Sequence, residues 1–470
     1  MRERREQDAL GELAGPAGDL AGIHTWRAEA NFDVAGRPLR PALVQAYGLV
    51  KLAAIRTLRE LGHWAEEPAK AAAMEQACAE MAAGALTAHV RVDALQGGAG
   101  TSTNMNVNEV LANRALQLLG AAPGDYARVS PLADLNRQQS TNDTFPTALR
   151  LAALRRLSEL EAAVVALQEA FQTQERALAD VVKVGRTQLQ DAVLITLGRE
   201  MGAYAEALSR DRWRLYKARE RLRVVNLGGT AVGTGLGAQR EYIYRVVDTL
   251  RAVSGLPLAR AENLIDATQN ADLLAEVSGL VRALAINMIK IGNDLRLLAS
   301  GPEAGLGELR LPARQEGSSI MPGKVNPVIP EAAVQAGLRC LGADLAIAQA
   351  CALGSLELNP FLPLVAEELL GMLEELTRAC TMLRVHCIEG LSADRERCRA
   401  QVEGGTAAAT ALAARLGYDT ASRLSARALA EGRSLREIVR EERLLDEAEF
   451  SALIAPAAVT RLGEPEGERP

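Results

Sequence analysis

Long stretches of helical periodicity alternate with short polar interruptions along this chain. Between Thr147 and Val182 there is no Gly or Pro, and Leu154, Leu157, Leu160, Val164, Leu167 and Phe171 recur at steps of three and four. That spacing predicts one helix with a continuous apolar stripe, about 50 Å long at the α-helical rise per residue. Comparable segments run over 190–225, 270–300, 329–353 and 364–388. Their apolar faces are wide, as in VSGLVRALAINMIKI, which predicts helices buried on more than one side and bundles that associate. Alternating β-branched runs are nearly absent, so the expected fold class is all-α, with an elongated long-helix bundle.

Shorter helices with frequent loops precede this bundle. Beyond Leu391 the pattern breaks into TAAATALAARLGYDTASRLSARALAEG, SLREIVRE and LDEAEFSALI. Gly417-Tyr418-Asp419 and Gly432-Arg433-Ser434 read there as helix stop followed by N-cap. Three domains are expected: 1–137, mostly helical; 138–391, the central long-helix bundle; and 392–470, a small helical appendage. The final GEPEGERP is expected to be disordered.

Composition narrows the function classes. A chain of 470 residues accommodates two or three domains. The formal charge is −6, from 53 bases and 59 acids, which does not point to nucleic acid or an anionic membrane surface. No apolar run approaches the roughly 18 residues of a membrane span. The opening MRERREQDALGELAGP is charged and lacks the apolar core of a signal peptide, so a cytoplasmic protein is expected. Cys78, Cys340, Cys351, Cys380, Cys387 and Cys398 form no CxxC pair, and most sit in apolar helical pattern, as buried free thiols do.

Four polar segments interrupt the apolar pattern. Gln96–Val110 holds three glycines, three hydroxyl residues and three asparagines and then enters a helix, a ready arrangement for an anion. Its spacing fits neither a P-loop nor a dinucleotide fingerprint. Asn136–Pro146 places Ser140, Thr141 and Asn142 in succession before a long helix. Two hydroxyls and an amide suit a substrate carboxylate, and helix capping by Asn142, Asp143 or Thr144 is compatible with that use. Gly185–Ala192 presents Thr187 and Gln188 on a turn between two expected helices. The fourth, Gly317-Ser-Ser-Ile-Met-Pro-Gly-Lys-Val-Asn-Pro327, carries Ser318, Ser319, Lys324 and Asn326 on a Gly/Pro loop with a run of N–H donors. Such a loop suits a site where negative charge develops. None of the four histidines, His24, His63, His89 and His386, lies in these segments. With no HExxH and no paired Cys ligands, no metal is expected. The candidate bases are the loop serines, with N–H groups and Lys324 to stabilise an alkoxide.

Together the four segments resemble the signature regions of the aspartase/fumarase superfamily, GSSIMPGKVNP above all. The similarity extends to GIHTWRA near the start, to NLGGTAVGTGL at 226–236 and to the tail at 417–455. GGAGTSTNMN, QSTND and GRTQLQDAV are similar to the aspartate ammonia-lyase branch. Fumarases carry a histidine at the position of Gln188, paired with a glutamate matching Glu331. Pro360, where relatives usually have valine, and the small residues of LAGIHT depart from the pattern and are expected to bear on substrate fit.

The resemblance implies a three-domain fold whose tetramer forms a twenty-helix core, with active sites shared between subunits of a homotetramer. It implies reversible anti elimination of ammonia from L-aspartate to fumarate, acting on a small dicarboxylate amino acid with no organic cofactor. Ser318 would be the catalytic base. Thr101, Ser140, Thr141, Asn142, Thr187 and Gln188 would bind substrate, with Ser319 as a further binding residue and Lys324 and Asn326 positioning it. Fumarate hydratase or a related succinyl lyase is the alternative, and a non-catalytic helical scaffold the remote one.

Overall fold

The computed structural model describes residues 3–463; the disorder expected of the last residues falls on 464–470, outside the described residues. The chain opens with a hairpin of β1 (Glu3–Asp8) and β2 (Gly11–Pro16). Helices α1 (Ile23–Asn31), α2 (Pro41–Glu60), α3 (Pro68–Ala82), α4 (Thr101–Leu118) and α5 (Thr141–Ala177) follow. A second hairpin pairs β3 (Val182–Thr187) with β4 (Gln190–Thr196). Next come α6 (Leu197–Leu222), α7 (Arg240–Ser254), α8 (Leu264–Gln269), α9 (Asp272–Leu298), α10 (Val328–Ala352) and α11 (Leu362–His386). The carboxy-terminal helices are α12 (Arg395–Gly404), α13 (Ala409–Leu416), α14 (Tyr418–Glu431), α15 (Leu435–Glu441), α16 (Glu447–Leu453) and α17 (Pro456–Val459). The fold is all-α in class, with the strands confined to short pairs.

Two compact units arise from this order. One comprises Met1–Glu161, Arg214–Ala283 and Arg339–Leu376; the other comprises Ala162–Trp213, Leu284–Leu338 and Thr377–Pro470. In the first, α2 packs against α3 and α7, and α3 against α4. Pro41 and Pro68 start α2 and α3, where a missing N–H costs nothing. Leu43, Val50, Ile55 and Leu58 bury one face of α2. In the second unit, Leu412, Leu424, Leu435, Ile438 and Phe450 of the carboxy-terminal helices form their own apolar cluster. Ser434 and Asp446 close capping boxes on α15 and α16. Gly417 alone separates α13 from α14, and Asp419 lies inside the first turn of α14 rather than capping it.

Each of the five periodic segments overlaps a long helix, α9, α10 and α11 to within two residues, and Leu154, Leu157, Leu160, Val164, Leu167 and Phe171 are all buried along α5. The departures are strands. Residues 190–196, expected as the start of a helix, form β4, so Thr187 and Gln188 sit on a hairpin tip. The cause lies in the tip and in a register shift between Val184 and Arg186, which breaks the two-residue alternation that marks a strand. The amino-terminal hairpin was likewise not expected, because β1 is charged on both faces, with Arg4, Glu6 and Asp8 on the more buried one.

Candidate active site

The first unit contains a cleft of about 500 Å³. One wall is the start of α4, with Thr101, Asn104 and Met105; a second is Asn136 to Asn142; a third is Thr230 to Gly237. Gly100, immediately before α4, adopts φ 92, and a Cβ there would stand 2.1 Å from the Phe145 ring. Only glycine brings the chain that close, so the loop can turn and start α4 at Thr101. The Thr101 hydroxyl donates to the Gly98 carbonyl at 2.7 Å. The Gln96 side chain accepts from Thr103 N at 2.8 Å, capping the helix from seven residues away.

The second wall is built by local hydrogen bonding. Ser140, not one of the three expected residues, caps α5: its Oγ accepts from Asn142 N at 3.2 Å, and Asp143 Oδ1 accepts from Ser140 N at 3.0 Å. Pro146 lacks the N–H that would bond to the Asn142 carbonyl four residues back. That carbonyl accepts instead from Asn226 Nδ2 at 3.0 Å, and Asn142 Nδ2 donates to Ala231 O at 2.7 Å. Buried Asp143 also accepts from Gly228 N at 3.1 Å and Thr230 N at 3.0 Å. The residues around Ser140–Asn142 are thereby tied to the glycine-rich third wall.

Behind this wall lies Lys51 of α2, fully buried. Its Nζ donates to Gln139 Oε1 at 3.0 Å, Asn136 Oδ1 at 3.3 Å and Leu135 O at 3.4 Å, all neutral acceptors. Burial pulls the ammonium down to about 7, against the attraction of Asp143. Burial pushes the Asp143 carboxyl up to about 6, although the N–H groups of Ser140, Thr230 and Gly228 hold it down. A lysine depressed from its ordinary 10.5 costs stability wherever the fold keeps it charged. The cost is full below about pH 7 and fades as the pH rises toward 10.5. Wild-type unfolding free energy is therefore expected to climb between these limits by at most ~5 kcal/mol from this group. Lys51→Met, measured by denaturant unfolding across the same pH range, is expected to lose that climb; an unchanged slope would show that Lys51 keeps an ordinary pKa.

The other candidate residues lie in the second unit. The hairpin turn is Gln188-Leu189, with φ 55 and 62. A two-residue hairpin turn with both φ positive ordinarily takes Asn-Gly. Here two residues with side chains hold left-handed backbone at an exposed tip, a strain that persists where surrounding structure imposes it. The loop at 317–327 closes on itself: Gly317 N donates to Lys324 O at 2.7 Å and Asn326 Nδ2 to Gly317 O at 2.8 Å. Half-buried Ser318 directs its Oγ back into the loop, where it accepts from Ile320 N at 3.2 Å and Met321 N at 3.1 Å. Ser319 and Lys324 are exposed.

Of the expected residues, Thr101, Ser140, Thr141 and Asn142 line the cleft of the first unit together, and Thr187, Gln188, Ser318, Ser319, Lys324 and Asn326 belong to the second unit. Asn104, Asn136, Gln139 and the Thr230–Gly237 wall were not singled out as site residues. The third wall had a readable signal, since GGTAVGTGLG has the same small-residue, glycine-rich make-up as the Gln96–Val110 loop.

A sequence model of the family described as Lyase matches residues 11–342, and one described as Fumarase C C-terminus matches 409–461. The chain belongs to the aspartase/fumarase superfamily. The aspartate ammonia-lyase of Pseudomonas aeruginosa is 47% identical to this superfamily member, over 96% of each chain. Among solved structures, a fumarate lyase:delta crystallin from Brucella melitensis bound to cobalt superposes with TM-score 0.93 at 44% identity, covering 97% of this chain and all of that one. A class II fumarase from Schistosoma mansoni gives TM-score 0.90 at 30% identity, covering 97% and 98%. The backbone is thus shared across the superfamily, while identity is higher toward the ammonia-lyase. Glu331, the partner of a histidine in fumarases by resemblance, here stands 3.7 Å from Arg296. Among the described residues, no three His, Cys, Asp or Glu side chains converge as a metal site, and no helix is long and apolar enough to cross a membrane.

Proposed function

We propose that this protein catalyses the reversible elimination of ammonia from L-aspartate to give fumarate, with Ser318 as the base. The observation that carries the mechanism is the pair of backbone N–H groups, from Ile320 and Met321, aimed at Ser318 Oγ. Such donors favour the charged form of the oxygen they reach, and Lys324 adds a positive charge on the same loop. The alkoxide takes the proton from Cβ, next to the β-carboxylate, and the electron pair delocalises into that carboxylate. The pair then forms the C=C bond as the C–N bond breaks, and the substrate's ammonium nitrogen takes the C–N bonding pair and leaves as ammonia. Preorganised donors that meet the transient dianion supply the largest part of such catalysis.

In this reading Thr101, Ser140, Thr141 and Asn142 hold substrate in the cleft. Thr187, Gln188, Ser319, Lys324 and Asn326 complete the site from other subunits of a homotetramer. One fact supports sharing. The long helices leave Ile286, Leu297, Leu338 and Leu345 exposed on single chains, as oligomer interfaces do. Gln188 supports deamination over hydration, because an amide cannot form the acid–base pair that a histidine would form with Glu331. Free thiols at all six cysteines fit a reducing, cytoplasmic compartment.

The test is a substrate panel followed by ultraviolet absorbance of fumarate. L-Aspartate is expected to yield fumarate and ammonia, fumarate with ammonia to run backward, and L-malate to yield nothing. Fumarate from L-malate alone would replace this reading with that of a hydratase.

A further inference from the structure

We propose that Glu308 is a positioning residue that fixes the substrate-binding hairpin tip, Thr187-Gln188, through Arg186 and Lys183. The inference rests on the reading of that tip as part of the active site, and it concerns the second unit alone.

Glu308 is fully buried and held at both of its backbone polar groups. Its N–H donates to Leu298 O at the end of α9, and its carbonyl accepts from Asp394 N just before α12, both at 2.9 Å. The following residues, Leu309–Arg310, pair antiparallel with Ser392–Ala393. The side chain is thus presented from a fixed backbone. Its Oε1 accepts from Arg186 Nη1 at 2.7 Å, and its Oε2 forms an ion pair with Lys183 Nζ at 3.0 Å. Lys183 lies also 3.1 Å from Glu200 of α6.

Two strand residues three apart ordinarily face opposite sides of a hairpin. Lys183 and Arg186 nonetheless meet one carboxylate, on either side of a register slip between Val184 and Arg186. A Cβ on Gly185 would stand 2.6 Å from Val193 O, so the slip depends on glycine. Arg186 directly precedes Thr187, and the turn that follows is held at φ 55 and 62 without glycine. Among the described residues neither Thr187 nor Gln188 makes a side-chain hydrogen bond, so Arg186, which lies 3.6 Å from exposed Asp191 and pairs at 2.7 Å with buried Glu308, is the side chain beside the strained tip that ties it to the fold. A buried, paired charge of this kind is costly to break from one side, which makes it a rigid support rather than an adaptable one.

The test uses the full-length oligomer, Glu308→Gln and Arg186→Met, at a temperature well below melting. Glu308→Gln keeps the shape but drops the charge shared by both cations. Arg186→Met removes the tip anchor and leaves Lys183 its two carboxylates, so the test stands even where Glu308→Gln does not assemble. Two readouts are taken: kcat and KM for L-aspartate, and hydrogen exchange of the 182–196 amides. KM is expected to rise roughly tenfold or more, with kcat held within about threefold, and exchange to quicken at the tip. A lower melting temperature with unchanged KM and unchanged tip exchange would overturn the proposal and leave only a structural ion cluster. Quickened exchange in a protein whose wild type does not deaminate L-aspartate would sustain the positioning role and sink the reading of the reaction.

Discussion

Ser318→Ala is expected to lower kcat by roughly 10²–10⁴-fold, the range for loss of a positioned general base. The reason is local. Ser318 Oγ is the acceptor of two backbone N–H groups at 3.2 and 3.1 Å, and no histidine lies in any of the four polar segments. Alanine removes the atom that would carry the charge and leaves both donors without their acceptor. In stability this resembles the loss of a helix cap, about 1 kcal/mol, because the loop is still closed by Gly317 N to Lys324 O and Asn326 Nδ2 to Gly317 O. Circular dichroism and sedimentation should therefore match wild type while fumarate formation is lost. Retention of more than about a tenth of wild-type kcat would be incompatible with a general-base role and would transfer the proton to Ser319 or a bound water.

The long helices were legible because helical periodicity is a local signal. Leu154 to Phe171 declare their face without reference to any other segment, and α9, α10 and α11 end within two residues of the expected bounds, while α5 starts six residues before Thr147 and stops five before Val182. The β3–β4 hairpin was not legible for an equally physical reason. Gly185 breaks the strand alternation, and Gln188-Leu189 occupies a turn that Asn-Gly would have advertised. The residues of the cleft were half legible. Ser140–Asn142 and Thr101 stand in polar segments, and they line one cleft. What supports them was hidden, since burial is non-local. Lys51 reaches Gln139 across 88 positions, Asp143 reaches Thr230 across 87, and Arg186 reaches Glu308 across 122. In sequence these are ordinary charged residues on helices and strands, and only the fold gives them partners.

Thr187→Ala and Ser318→Ala homo-oligomers are each expected to be nearly inactive, and a mixture of the two, denatured and reassembled, to regain activity. The expectation follows from the proposed sharing of sites. If a tip and a loop enter each cleft from two different subunits, some sites in a mixed oligomer receive a wild-type Thr187 from one variant and a wild-type Ser318 from the other. Random assembly gives this combination at about a quarter of the sites at most, since two subunits must each be of the right kind in a closed symmetric oligomer. Activity should therefore rise from near zero to a plateau near that fraction as the variants approach equal amounts, and fall again on either side. The variants can be tagged differently, so that mixed oligomers are isolated before assay. Isolated mixed oligomers with no recovery would mean that tip and loop serve a single site from one chain. The chemistry at Ser318 would then stand, and the shared-site architecture would not.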